Sequence, residues 1–249
     1  MNKVDFSEIT FPKSLNITEQ NIDISNLTDV QKDYYINILK EIVDIYTNKN
    51  EKRIIIGFAG PSGSGKSVMV EILKEISSQI TLPFKIKTLG VDAYSYSNEF
   101  LLSHYEGEKS LKDYKGRFDT YDVYKLINDL KSFKEGKVVA LPICSREIHN
   151  PIENAVNIKD EKVVLLVEGL WLLHKKNKWS EVEEILDFKY FVSIDKEKAG
   201  EGTIKRHILG GRDVLDATNY YKEVDSKNFD LIIKNKDKAD KIIPAYCDL

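Results

Sequence analysis

The chain is poor in cysteine: Cys144 and Cys247 are its only two in 249 residues. Two thiols give neither a disulfide framework nor a CxxC pair for zinc, and a reducing cytoplasm is the expected setting. No stretch reaches the roughly 18 consecutive apolar residues that a membrane helix needs, so no membrane partner is expected. The opening MNKVDFSEITFPKSLN lacks the basic and then apolar regions of a secretory signal. A surplus of one charge is missing too. The 37 Lys and Arg are scattered among 40 Asp and Glu, for a formal charge of -3. A nucleic-acid binder would carry a basic stripe, so no nucleic-acid partner is expected either. What is left, 42% hydrophobic and 31% charged residues, is ordinary for a soluble globular protein. The length suits one large α/β domain or two small ones.

Residues 1–26 are polar without a clean period and read as an irregular arm. From Leu27 to Tyr46, apolar residues recur at three- and four-residue steps, one face of a helix, with Thr28 and Gln31 spaced as a capping box. A single helix cannot bury its own stripe. This one, with the arm (1–50), is expected either to pack on the main domain (51–249) or to form a homodimer interface. Short apolar runs then alternate with helical patterns. Strands are predicted at 53–58, 84–91, 137–143, 163–168, 188–194 and 229–234, and helices at 66–78, 121–133, 179–186, 196–209 and 214–224. That alternation predicts an α/β fold of three layers around a mostly parallel sheet. Residues 93–120 have no strong period, and such a long irregular stretch in a compact domain tends to be functional.

Gly60-Pro-Ser-Gly-Ser-Gly65-Lys66-Ser67 fits GxxxxGK[ST], with a predicted strand before it and a helix after it. Glycines let successive N–H groups turn into one concavity, which with a helix N-terminus favours anions. Lys66 can reach the outer phosphates, and the Ser67 hydroxyl can face Mg2+. Ser62, Gly63, Ser64, Gly65, Lys66, Ser67 and Val68 are therefore the candidate ATP site. Glu168 closes the run VVLLV at the carboxyl end of a buried strand, the edge where open α/β sheets bind ligands. It joins Ser67 as a candidate Mg2+ ligand, or is simply the first solvated residue after the strand. Asp92 follows Val91 at the end of the second predicted strand (84–91) and is the candidate base for an acceptor hydroxyl, or an ordinary turn residue. Tyr94 and Tyr96 beside it could pack on a substrate or in the core. Arg206 and Arg212 flank Gly210-Gly211, as in a lid that brings positive charge to a moving phosphoryl group, or as in a plain helical hairpin. A GTPase would show NKxD after a strand. Asn235-Lys-Asp-Lys238 is a near miss, and Asp113-Tyr-Lys-Gly116 matches only the short DxxG.

In order, GFAGPSGSGKS, VDAY, KGRFDTYDVYKL, LPICSRE, VVLLVEGLWLL and IKRH...GGRD together resemble the phosphoribulokinase/uridine kinase-like family of small-molecule kinases, nearest its fructokinase-like or nucleoside-kinase-like branch. The resemblance spans roughly residues 50–234. It implies a P-loop NTPase fold with a parallel sheet of about five strands, a helical lid, ATP and Mg2+ as cofactors, and a small-molecule hydroxyl acceptor. It puts Asp92 at the base, Glu168 after the Walker B-like strand, Arg206 at the lid and Asp122 at a recurrent FD position. Lys66 and Arg206 would share catalysis with Asp92. Arg212 would join the ATP site, and Tyr94, Arg117, Arg146 and His149 would form the acceptor-binding set. Departures exist. Ile143-Cys144-Ser145 replaces the Tyr-Asp-Phe of uridine kinases, Asp-Ala-Tyr replaces Asp-Gly-Phe, and Val68 replaces a common threonine. These motivate the alternative of a catalytically silent ATP-binding regulator or scaffold.

Overall fold

A computed structural model describes residues 4–17, 19–145, 148, 150–159 and 162–245. Arg146, His149 and Cys247 lie outside the described residues. The N-terminal arm is not irregular throughout. It forms an antiparallel hairpin of β1 (Ser14–Ile17) and β2 (Gln20–Asp23). Leu15 and Ile17 are buried while Ser14 and Asn16 are exposed, an alternation too short to register as a period. Helix α1 (Asp29–Lys49) starts at the capping box, with Thr28 accepting from the Gln31 N–H and the Gln31 side chain accepting from the Thr28 N–H. It stops where Asn50 turns left-handed at φ 51°.

Strand β3 (Arg53–Ala59) leads through the glycine-rich loop into α2 (Lys66–Ser77), and β4 (Lys85–Gly90) follows. The aperiodic stretch holds a 3-10 turn at Val91–Tyr94, short α3 (Asn98–Ser103), a ribbon of β5 (Tyr105–Glu106) and β6 (Lys109–Ser110), and a second 3-10 turn at Leu111–Tyr114. After α4 (Val123–Lys134) come β7 (Val139–Ser145), β8 (Asn150–Ile158), β9 (Val163–Gly169), α5 (Trp179–Ile185) and β10 (Phe188–Ser193). Helices α6 (Lys196–Leu209), α7 (Val214–Tyr220) and α8 (Ser226–Ile233), then β11 (Lys241–Pro244), complete the chain.

The main sheet has the order β11-β10-β3-β9-β4, every neighbouring pair parallel. Alternation along its central strands builds the three layers. Ile55 of β3 and Val163, Leu165 and Val167 of β9 join one core with α4, α5 and Ile232 of α8. Ile54, Ile56 and Phe58, with Val164 and Leu166, join the other, against α2, α1 and the β1–β2 hairpin. Tyr35, Ile38, Leu39 and Ile42 of α1 are almost wholly buried there, so its stripe is covered within the chain.

Two predicted strands are corrected. The 137–143 run does not enter the main sheet. As β7 it pairs antiparallel with β8 in a separate hairpin whose register shifts between Leu141 and Ile143, around Pro142, which has no N–H to donate. The 229–234 run is helical: Phe229 and Ile232 are buried three residues apart while Leu231 is 36% exposed. The fifth strand is instead β11, a short edge strand ending in proline, as edges often do. None of the described helices is long and apolar enough to cross a membrane.

Candidate active site

The phosphate loop crosses the carboxyl edge of the sheet at β3. A Cβ on Gly63, whose φ is 77°, would sit 2.4 Å from the Ala199 carbonyl oxygen, and one on Gly60 2.6 Å from that of Val192. Glycine here thus permits both the turn and the close approach of α6 and β10. Gly57 serves packing, since a Cβ there would meet the Leu186 side chain at 2.6 Å. Lys66, 6% exposed, folds back onto its own loop: its Nζ donates to the Pro61 carbonyl at 2.7 Å and to Ser64 Oγ at 3.2 Å. Ser67 Oγ donates to Glu168 Oε1 at 2.9 Å. Val68 turns its side chain toward the core shared with α1 and offers the loop only its backbone.

Parallel register fixes the acids. Glu168 lies beside Phe58 on one neighbour and Gly90 on the other, and Asp92 follows two residues after Gly90 in the 3-10 turn. Tyr121 OH donates to Asp92 Oδ1 at 3.0 Å. From the lid side, Arg206 donates to Ser62 Oγ at 2.7 Å, and Thr203 donates to the same hydroxyl at 3.0 Å. Helix α6 is thereby tied to the phosphate loop.

These groups feel one another. Burial pushes the Lys66 ammonium down to about 8; Glu168 and Asp92 oppose that shift, and Arg206 adds to it. Burial raises Glu168 above the usual carboxylate range, with Asp92 adding to the shift, and Lys66, Ser67 and Arg206 opposing it. A buried lysine and a buried carboxylate that perturb one another at a sheet edge make a candidate functional site. A buried lysine in a glycine-rich loop at a helix N-terminus, a serine hydroxyl and one carboxylate fit a nucleoside triphosphate with Mg2+, a metal usually held by one or two protein groups plus substrate phosphates. No group of three His, Cys, Asp or Glu that could cage a metal occurs among the described residues.

Other expected residues are placed elsewhere. Tyr94 is 2% exposed and its hydroxyl donates to Asp129 at 2.9 Å, so it is a core residue and not a substrate contact. The Arg117 guanidinium is taken up by Asp119, at 2.7 and 2.8 Å, and by Glu106, and lies over the Tyr114 ring. Arg212 pairs with Asp216 at 2.8 Å, and its guanidinium lies 4.1 Å from the centre of the Tyr220 ring. Asp122 caps α4 through the Lys125 N–H. Asp113 closes a capping box on Ser110, and Asn235–Lys238 follows helix α8 and not a strand, so both partial GTPase patterns are local structure. Sequence reasoning missed Tyr121 and Thr203, and nothing in their local pattern signals a site.

A phosphate loop between a parallel strand and a helix, with an acid closing the neighbouring strand, defines a P-loop α/β kinase fold. The sequence model of the phosphoribulokinase/uridine kinase family matches residues 55–248, and the chain belongs to that family. It is 29% identical over 206 residues to the uncharacterized protein YggC of Escherichia coli K12, covering 83% of this chain and 84% of that one. The pantothenate kinase of Histophilus somni strain 2336 is 26% identical over 89% of this chain and 76% of its own. Among solved structures, YFH7 from Saccharomyces cerevisiae superposes with a TM-score of 0.71 at 14% identity, over 86% of this chain and 99% of that one, a likeness of fold.

Proposed function

We propose that this protein is an ATP-dependent kinase that transfers the γ-phosphoryl group to a hydroxyl of a small metabolite. The observation that carries the reading is the convergence of Lys66, Ser67, Glu168, Asp92 and Arg206 on one sheet edge. Asp92 takes the proton of the acceptor hydroxyl as the acceptor oxygen bonds to phosphorus. The bond between the γ-phosphorus and its bridging oxygen breaks, and ADP leaves with that oxygen. Lys66 leaves its resting contacts with Pro61 and Ser64 to bind the outer phosphates, and Arg206 offsets charge on the transferred group. Ser67 and Glu168 would hold Mg2+, which supplies charge neutralisation on the phosphates when bound. Tyr121 orients the base through its hydrogen bond.

A coupled ADP-release assay over sugars, nucleosides, pantothenate and glycerate tests this. Acceptor-dependent release that falls about 100- to 10,000-fold in Asp92→Asn, with ATP affinity unchanged, is expected for loss of a general base. ATP binding with no acceptor-dependent release by any compound would instead identify a silent ATP-binding protein. Unchanged turnover in Asp92→Asn would remove Asp92 as the base.

A further inference from the structure

Helix α6 meets the phosphate loop along one face. Ala199, Thr203 and Arg206 follow one another at four- and three-residue steps, which puts them on the same side of the helix. Ala199 and Thr203 are almost wholly buried there. Small residues let the two backbones close in. A Cβ on Gly63 would meet the Ala199 carbonyl oxygen at 2.4 Å and Thr203 Oγ1 at 2.9 Å, and one on Gly202 would lie 3.7 Å from the Gly63 carbonyl oxygen. The contact centres on Ser62, itself buried, whose hydroxyl accepts from Thr203 at 3.0 Å and from the Arg206 guanidinium at 2.7 Å.

Arg206 differs from its neighbours in what holds it. Arg117 is ion-paired to Asp119 and Glu106, and Arg212 to Asp216. Among the described residues Arg206 has no acid within ion-pairing distance, and Ser62 is its one hydrogen-bond partner. A carboxylate in place of Ser62 would cancel the guanidinium charge and repel an incoming phosphate. A hydroxyl fixes the side chain and leaves its charge to the ligand. An unheld arginine would lose its rotamer freedom only on meeting the phosphate, at a cost to binding. The charge is felt at the site, since Arg206 adds to the fall of Lys66 and opposes the rise of Glu168.

We propose that Ser62 is a positioning residue: with Thr203 it latches α6 to the phosphate loop and holds the Arg206 guanidinium ready for the outermost phosphate of a nucleoside triphosphate. This rests on the kinase reading and deepens it, because Ser62 acts through Arg206.

Calorimetric titration of a non-hydrolysable ATP analogue and of ADP tests it, with wild type, Ser62→Ala, Arg206→Ala and the double variant. Ser62→Ala should weaken the analogue about 10-fold, as loss of a hydrogen bond to a charged group implies, and leave ADP within about twofold. In the Arg206→Ala background the same substitution should weaken the analogue less than about twofold, since coupled residues are not additive. Thr203→Val, which removes the second donor at nearly constant volume, should show the same selectivity at about threefold, and Thr203→Ser should restore wild-type binding. A general defect of the loop would weaken both nucleotides alike. Equal loss for ADP and the analogue in Ser62→Ala, no loss for either, or a full further loss in the Arg206→Ala background overturns the proposal, even when an acceptor is phosphorylated. Analogue-selective loss that depends on Arg206, with no acceptor-dependent ADP release by any compound, sinks the kinase reading alone and leaves the latch standing.

Discussion

Lys66 gives a prediction that can be worked through from its surroundings. In the nucleotide-free protein its ammonium is held at about 8, chiefly by burial. Outer phosphates favour the charged form and return it to its ordinary range, so ATP binding above pH 7 should take up a proton. The sign follows from linkage: the charged form binds, so affinity is full below pH 7 and falls as pH rises through 8. With a free value of about 8, uptake is about 0.1 proton at pH 7, about 0.5 at pH 8 and about 0.9 at pH 9. Apparent Kd rises about twofold at pH 8 and about elevenfold at pH 9. The assay is calorimetric titration of ATP, with EDTA present to keep Mg2+ away from Glu168, in two buffers of different ionisation enthalpy at each pH. The difference in observed enthalpy counts the protons. Lys66→Met is the control and should abolish the pH-dependent uptake. Identical enthalpies in both buffers at pH 8 and 9, or the same uptake in Lys66→Met, would refute the assignment of a depressed, phosphate-facing lysine.

Two further perturbations test the scaffold. Gly63→Ala places a methyl 2.4 Å from the Ala199 carbonyl in a left-handed backbone; it should cost about 1–3 kcal/mol in strain and weaken ATP binding by forcing α6 off the loop. Gly107→Ala, at φ 63° with nothing within 4 Å, carries the strain without the collision and should leave ATP affinity unchanged by the same titration. Leu39→Ala, at a wholly buried position of α1, should lower unfolding free energy by about 2–5 kcal/mol in urea, whereas Val30→Ala, 68% exposed, should stay within about 0.5 kcal/mol. Equal small effects would mean that α1 adds little to the core.

The parts of the fold that sequence made legible are those where one short-range rule decides. The capping box at Thr28, the glycine-rich turn and the aliphatic runs of β3 and β9 are of this kind, because local geometry or burial on both faces leaves one solution. Errors fell where short apolar runs fit two periods. FDLIIK satisfies a strand's composition, but Phe229 and Ile232 recur at helical spacing, and only packing on the sheet chooses between them. Pro142 in the 137–143 run was a visible warning against a central strand.

For the site the division is between backbone position and side-chain aim. Asp92, Lys66, Ser67 and Glu168 sit at strand or helix ends, so their chain positions alone bring them to one edge. Tyr94, Arg117 and Arg212 are near that edge in sequence, yet their side chains are claimed by Asp129, by Asp119 and Glu106, and by Asp216. The partner of Tyr94 lies 35 residues away and no local pattern reveals it, whereas Asp119 beside Arg117 and Asp216 at i,i+4 from Arg212 were legible as nearby acids.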